Sequence, residues 1–204
     1  MIIKKLVEFN TDENCYVIYG KDSKNCIVID PGGEKILDFL KESKLSVDAI
    51  LLTHCHYDHT CCAEKIKDMT GAPIIGSSEC MENIKSPFVN VSAMFGEGLH
   101  TAVDKVISDN EIIKYSGLEI KCIKTPGHTS CSVCYLIEDN LFSGDTLFLR
   151  TTGRWDLPTG NYDELAASLK EKIYCLDDNI KVFPGHGNDT TVGYEKKFNL
   201  SICL

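Results

Sequence analysis

The sequence predicts an α/β fold in which two sheets pack face to face with helices outside. Three observations carry this. Strand-like runs are interleaved with helical periodicity, and the scheme occurs twice, once in each half of the chain. Ala49-Ile50-Leu51-Leu52 is a continuous apolar run, the pattern of a strand buried on both faces. No linker or low-complexity segment divides the 204 residues, so residues 1–204 are expected to form a single domain.

In chain order, 6–9, 15–19 and 26–29 read as short strands separated by polar turn material at 10–13 and 21–25. Asp30-Pro31-Gly32-Gly33 is a turn, and Ile36, Leu37, Phe39 and Leu40 then give 34–43 a helical spacing. After the strand at 49–52, 60–69 reads as a helix closed by Gly71-Ala72-Pro73. A strand at 73–75 and a helix at 78–84 follow. Residues 85–100, with Pro87, Gly96 and Gly98, read as a loop covering the site. In the second half, 112–115, 119–124, 132–137 and 140–142 read as strands, with turns at Gly117 and at 138–140. Residues 162–174 form an amphipathic helix, with Leu165, Ala166, Leu169 and Ile173 on one face and Asn161 as N-cap. A strand at 180–183 and a helix at 192–200 complete the chain.

Composition narrows the function classes. With 43% apolar and 25% charged residues the chain is an ordinary globular one. Its net charge of −9 argues against nucleic acid as a partner, because phosphate binding needs a basic surface. No apolar run approaches the length of a membrane helix. Met1-Ile2-Ile3-Lys4-Lys5 lacks the apolar core of a secretory signal, so a cytoplasmic protein with reduced thiols is expected. The 11 cysteines are an odd number and too sparse for a disulfide scaffold. Cys131 and Cys134 are spaced C-x-x-C, but on a strand they point to opposite faces and read as core fillers.

The chemistry concentrates in Thr53-His54-Cys55-His56-Tyr57-Asp58-His59, directly after a buried strand. In an extended loop His54 and His56 point the same way and can grip one metal, while Cys55 points away. Asp58 and His59, after a turn, can aim at a neighbouring metal. Three more segments place a metal-capable residue beside glycine at a strand end: Thr125-Pro126-Gly127-His128-Thr129, Phe142-Ser143-Gly144-Asp145-Thr146 and Phe183-Pro184-Gly185-His186-Gly187. Together they put the candidate ligands on loops at one rim of the sheets.

In this ordered set, His54, His56, Asp58, His59, His128, Asp145 and His186, the chain resembles the metallo-β-lactamase superfamily over essentially its whole length. The resemblance implies an αββα four-layer sandwich with a two-metal site. His54, His56 and His128 would hold one metal, Asp58, His59 and His186 the second, and Asp145 would bridge them. True zinc β-lactamases usually lack that bridging aspartate, so Asp145 points to the hydrolase branch. Gly144 to Phe148, Gly153-Arg154-Trp155-Asp156-Leu157-Pro158 and Pro184-Gly185-His186-Gly187, with Thr190, Thr191, Glu195 and Lys196, are similar to the short glyoxalase II-like hydrolases. Those proteins resemble hydroxyacylglutathione hydrolase. Since 18 residues follow His186, the helical C-terminal extension that contacts glutathione in the full-length enzyme is expected to be absent.

The resemblance implies metal-dependent hydrolysis of a small acyl thioester by a metal-bound hydroxide, with a thiolate that leaves without a general acid. Asp145 would set the metal separation and Asp58 orient the hydroxide, so both are catalytic candidates. The cofactors expected are two divalent metal ions, zinc foremost, with iron or manganese also suited to imidazole and carboxylate. Arg154 and Tyr57 are candidate substrate contacts, and Trp155 and Phe148 candidate lining of the entrance. Asp30, Thr53 and Thr129 are candidate partners for the second nitrogen of the ligand imidazoles. His100 matches no motif position and reads as an exposed loop residue. Alternatives are a mononuclear non-haem iron persulfide dioxygenase, whose iron is held by two histidines and one aspartate, and a lactone or other ester metallohydrolase. A metal-binding relic of the fold would be expected to have lost ligands, and none is lost here.

Overall fold

The structure is a computed structural model and describes residues 1–96 and 98–202. Strands β1 (Ile2–Val7), β2 (Asn14–Tyr19) and β3 (Asn25–Ile29) form an antiparallel meander. Helix α1 (Lys35–Ser43) carries the chain over to β4 (Ser46–Leu51), parallel to β3. The short helix α2 (Tyr57–Thr60) and α3 (Ala63–Thr70) lead to β5 (Ile74–Gly76), and α4 (Ser78–Asn83) precedes β6 (Lys105–Val106), both parallel additions. The second sheet begins with the antiparallel strands β7 (Ile112–Tyr115), β8 (Leu118–Lys124), β9 (Val133–Ile137) and β10 (Asn140–Gly144). Helix α5 (Tyr162–Ser168) crosses over to β11 (Lys181–Pro184), parallel to β10. Strand β12 (Thr190–Thr191) and helix α6 (Val192–Phe198) follow. The sheet orders are β1-β2-β3-β4-β5-β6 and β12-β11-β10-β9-β8-β7.

Strand alternation explains the layers. On β2, Cys15 and Val17 pack with Ile36, Leu40 and Ile66 beneath α1 and α3. Their neighbours Tyr16 and Ile18 face the second sheet, where Tyr135, Phe142 and Ile120 meet them. A third core lies outside the second sheet, where Leu141 and Val182 pack against Leu165, Leu169 and Ile173. Three apolar layers between four layers of structure make the αββα sandwich.

The expected elements lie within three residues of the observed ones, with six departures, one of them a 3-10 turn at Ser92–Met94 inside the expected loop. The first strand is Ile2–Val7, not 6–9. It is an edge strand with no fully buried side chain, so Lys4 and Lys5, on opposite faces, are both accommodated: Lys4 Nζ lies over the Phe39 ring and Lys5 Nζ pairs with Asp189 at 2.6 Å. Phe9 instead lies in the exposed turn after it. The helix expected at 60–69 is two helices broken at Cys61 and Cys62, and α2 reaches back to Tyr57. The helix expected at 162–174 passes at Ser168 into a π-helical turn, Leu169–Ile173, in which Tyr174 N–H donates to Leu169 O at 2.8 Å. Strands β6 and β12 were not expected, since two residues carry no periodicity. No helix among the described residues is long and apolar enough to cross a membrane. The ten described cysteines are all free, and Cys131 and Cys134 belong to different cores.

Candidate metal centre

Every loop that carries a candidate ligand or its partner leaves the C-terminal end of a strand. Asp30 follows β3, Thr53 to His59 follow β4, His128 follows β8, Asp145 follows β10 and His186 follows β11. Parallel pairing of β3 with β4 and of β10 with β11 puts these ends on the same rim. Loop positions are fixed across the sandwich. Asn14 N–H donates to Gly185 O at 2.7 Å, and Tyr16 Oη–H donates to Pro184 O at 2.7 Å. These bonds tie the first sheet to the loop of the last histidine.

Orientation of the imidazoles follows from their partners. Asp30, in the left-handed region with φ 50°, accepts three bonds. They come from Thr53 N–H at 2.8 Å, Thr53 Oγ1–H at 2.6 Å and His59 Nδ1–H at 3.0 Å. Since the Thr53 hydroxyl donates to Asp30, it accepts from His54 Nδ1–H at 3.0 Å. His128 Nδ1–H donates to Arg154 O at 2.6 Å, and His186 Nδ1–H to Asp12 O at 3.2 Å. Four rings therefore carry a proton on Nδ1 and turn Nε2 inward. His56 is the exception, with Nδ1 turned to the centre, 3.0 Å from His128 Nε2.

Two triads result. Donor atoms of His54, His56 and His128 lie within 4.8 Å of one another, as do those of Asp58, His59 and His186. Asp145 stands between them, with Oδ1 3.3 Å from His59 Nε2 and Oδ2 3.5 Å from His128 Nε2 and 3.7 Å from His186 Nε2. Asp58 Oδ2 lies 3.4 Å from His186 Nε2. Asp30 also falls within the same reach of His54 and His59, but its oxygens are already engaged.

The donor set fits divalent metals. His54 Nε2 is buried without a hydrogen-bond partner. Ring nitrogens converge at 3.0 Å in the His56–His128 pair and at 3.3 Å in the His59–His186 pair. A cation between them would take the place of the protons these pairs must otherwise share.

The electrostatics divide the rings. Burial, helped by neighbouring imidazoles, holds His54 well below the ordinary range and His56 at about 4. Burial also opposes charge on His59 and His186. There the carboxylates win: Asp145 and Asp58 raise His59 well above its ordinary value, and Asp58 and Asp145 raise His186. Burial pushes Asp145 and Asp58 up, but His59 and the other nearby imidazoles more than reverse this.

Glycines allow the close approach. Gly144 adopts φ 47°, and a Cβ there would strike the Thr53 hydroxyl. A Cβ on Gly185 would collide with Asp145 Oδ1 and His59 Cε1.

The cluster opens into a cleft of about 350 Å³ bordered by Val91, Met94, Phe95, Phe148, Leu157 and Arg154. Residues of the loop 85–100 thus border the site, as expected. Arg154 reaches the rim, where its guanidinium is held by Asp156. Its carbonyl contact with His128 had no sequence signal. Tyr57 does not line the cleft. Helix α2 begins at this residue and turns its ring against Phe95, centroids 4.8 Å apart, beside a second cavity that His100 also borders. Trp155 packs edge-on to Tyr162 outside the cleft lining, whereas Phe148 lines it. Thr129 orients no imidazole, because its hydroxyl bonds Ser132 Oγ at 2.7 Å and Cys131 Sγ within its own turn. Cys55 is buried in the core beneath the helices, away from the cluster. Sequence reading also missed Glu13, a fully buried carboxyl whose oxygens have no hydrogen-bond partner and whose pKa burial pushes well up.

Comparison with known proteins agrees with this arrangement. The family model described as the metallo-beta-lactamase superfamily matches residues 10–186. Hydroxyacylglutathione hydrolase GloC of Haemophilus influenzae is 34% identical over 197 residues, covering 92% of this chain and 91% of that protein. The solved structure of BLEG-1, described as a B3 metallo-beta-lactamase, superposes with a TM-score of 0.91 at 32% identity over 98% of each chain. A protein solved in a di-iron-bound form gives a TM-score of 0.83 at 27% identity, covering 97% of this chain and 98% of that one. A matched span that ends on the last histidine of the cluster, over a sandwich of this topology, has one reading: the chain belongs to the metallo-β-lactamase superfamily.

Proposed function

We propose that the protein is a two-metal hydrolase that cleaves a small acyl thioester. The observation that carries the reading is the pair of facing donor triads with the Asp145 carboxylate between them. His54, His56 and His128 would hold one ion, and Asp58, His59 and His186 the other, with Asp145 reaching both. Imidazole and carboxylate donors suit zinc first, and iron or manganese as well. Two such ions supply a water acidified to near neutrality and Lewis-acid polarisation of the acyl oxygen.

The chain's own groups do the rest. Asp30 and Thr53 hold His59 and His54 in the ligating tautomer, and the Arg154 carbonyl does the same for His128. Asp58, on the first turn of α2, faces the cleft beside His186 and is placed to accept a hydrogen bond from the attacking water. Among the described lining residues, every titratable group is a member of the cluster or Arg154. No separate proton donor stands ready for a poor leaving group. A thiolate needs none, whereas an amide nitrogen or alkoxide does, and this favours a thioester over a lactam or lactone. Kinship with a hydroxyacylglutathione hydrolase supports the same choice. Free cysteines throughout the described residues support a reducing, cytoplasmic setting.

The test is a substrate panel on metal-loaded protein: acyl thioesters, a lactone, a chromogenic β-lactam, and a persulfide in an oxygen electrode. Thioester cleavage without oxygen uptake is expected. Oxygen uptake with a persulfide on a single iron would replace this reading with the dioxygenase. Preferential opening of the β-lactam would move the protein to the lactamase branch.

A further inference from the structure

The cleft above the cluster is apolar on nearly every side. Met94, Phe95, Phe148 and Leu157 form its rim, and Met94 is 77% exposed, so the surface is presented to whatever enters. Arg154 is the one cation among the described lining residues, and no lysine borders the cleft. Its guanidinium is engaged by Asp156, Nε at 2.7 Å and Nη2 at 2.8 Å, so an equal anion stands beside this cation. The chain as a whole carries −9. At about 350 Å³, the cleft lies at the small end of sites for organic ligands.

These features select against an anionic thiol carrier. A glutathione conjugate brings two carboxylates and an ammonium group. Seated with its sulfur at the cluster, it would set those charges against mostly apolar side chains, with Arg154, already paired with Asp156, the one cation among the described lining residues, at the cost of their hydration. From this, and resting on the thioester reading above, we infer that the substrate is a short acyl thioester of a small uncharged thiol. Met94 and Phe148 set this preference, Met94 at the mouth and Phe148 beside His186, with ring centroids 6.0 Å apart.

Two thioesters with the same acyl group separate the possibilities: S-butyryl-N-acetylcysteamine, which is neutral, and S-butyrylglutathione. Metal-loaded wild-type protein is expected to favour the neutral ester by about tenfold or more in kcat/KM, mainly through KM. Met94→Lys places a cation at the exposed rim and should shrink that ratio by about threefold or more, with the gain on the glutathione ester. Binding is read independently with the unreactive S-butyl thioethers of the same two thiols, by quenching of Trp155, the single tryptophan, next to Arg154. Tighter binding of the neutral thioether is expected. Equal or better use of the glutathione ester, or tighter binding of its thioether, overturns the inference and leaves the hydrolase reading standing. If neither ester is cleaved, the hydrolase reading falls, and the inference, which rests on it, falls with it.

Discussion

Asp30→Asn tests how the second metal triad is held. The wild-type carboxylate is buried and accepts from Thr53 N–H, Thr53 Oγ1–H and His59 Nδ1–H at 2.8, 2.6 and 3.0 Å. In the amide, Oδ1 still accepts from Thr53 N–H, but an NH2 group replaces Oδ2. A donor then faces His59 Nδ1, which can accept only after its proton has moved to Nε2, the atom that must be bare to ligate. Loss of such an orienting partner weakens metal binding by about 10–100-fold, or roughly 1.4–2.8 kcal/mol. The same change weakens two charge-assisted bonds without emptying the site, so folding stability should fall by about 1–3 kcal/mol. Asp30→Ala removes all three bonds and should lose about 3–5 kcal/mol. Stepwise titration against a chromophoric chelator reads the two affinities, and thermal unfolding of the metal-free proteins reads the stability. The asparagine variant should bind both ions more weakly, the one held by His59 directly and the one held by His54 through the Thr53 hydroxyl, which must now accept from the new amide. Wild-type affinity for both ions, or an alanine variant that melts with wild-type protein, would refute the reasoning.

Affinity for the second ion should depend more steeply on pH than affinity for the first. His59 and His186 have raised pKa values and must shed protons to ligate, whereas His54 and His56 are neutral already. From pH 8 to 6 the second ion should weaken by up to about tenfold per pH unit for each proton displaced, while the first changes little, as titrations at three pH values would show. The sign reverses without metal. Raised imidazoles stabilise the metal-free fold below the ordinary histidine pKa and lose that contribution as pH rises through the raised value. Gly185→Ala drives a methyl group into Asp145 and His59, so circular dichroism should be retained while bound metal falls by at least one ion per chain. Asn161→Ala removes the cap that accepts from Asp163 N–H at 2.9 Å and Glu164 N–H at 3.2 Å. It should lose about 1 kcal/mol, a melting shift of roughly 2–4 °C, with metal content unchanged.

The candidate ligands that the fold brings together could be picked out because each stands beside a glycine or in a dense histidine run at a strand end, where local sequence alone marks the turn. Asp30 and Thr53 were legible as orienting partners because they flank the parallel β3 and β4 ends. Thr129 was misread: a hydroxyl can satisfy itself within its own turn, and Ser132 sits three residues away. Tyr57 was misread because a four-residue helix leaves no periodicity, yet its first residue decides which way the ring points. The carbonyls of Asp12 and Arg154 orient two imidazoles, and a carbonyl is present at every residue, so composition cannot mark it. The edge strands were obscured for a related reason, since no side chain of β1 is fully buried and β6 and β12 have two residues each.

Metal content per chain tests the central claim most directly. Protein loaded with excess zinc and dialysed to equilibrium should retain two ions per chain by elemental analysis. His186→Ala should retain one, held by His54, His56 and His128. A single ion per wild-type chain, unchanged by His186→Ala, would contradict the two-metal account.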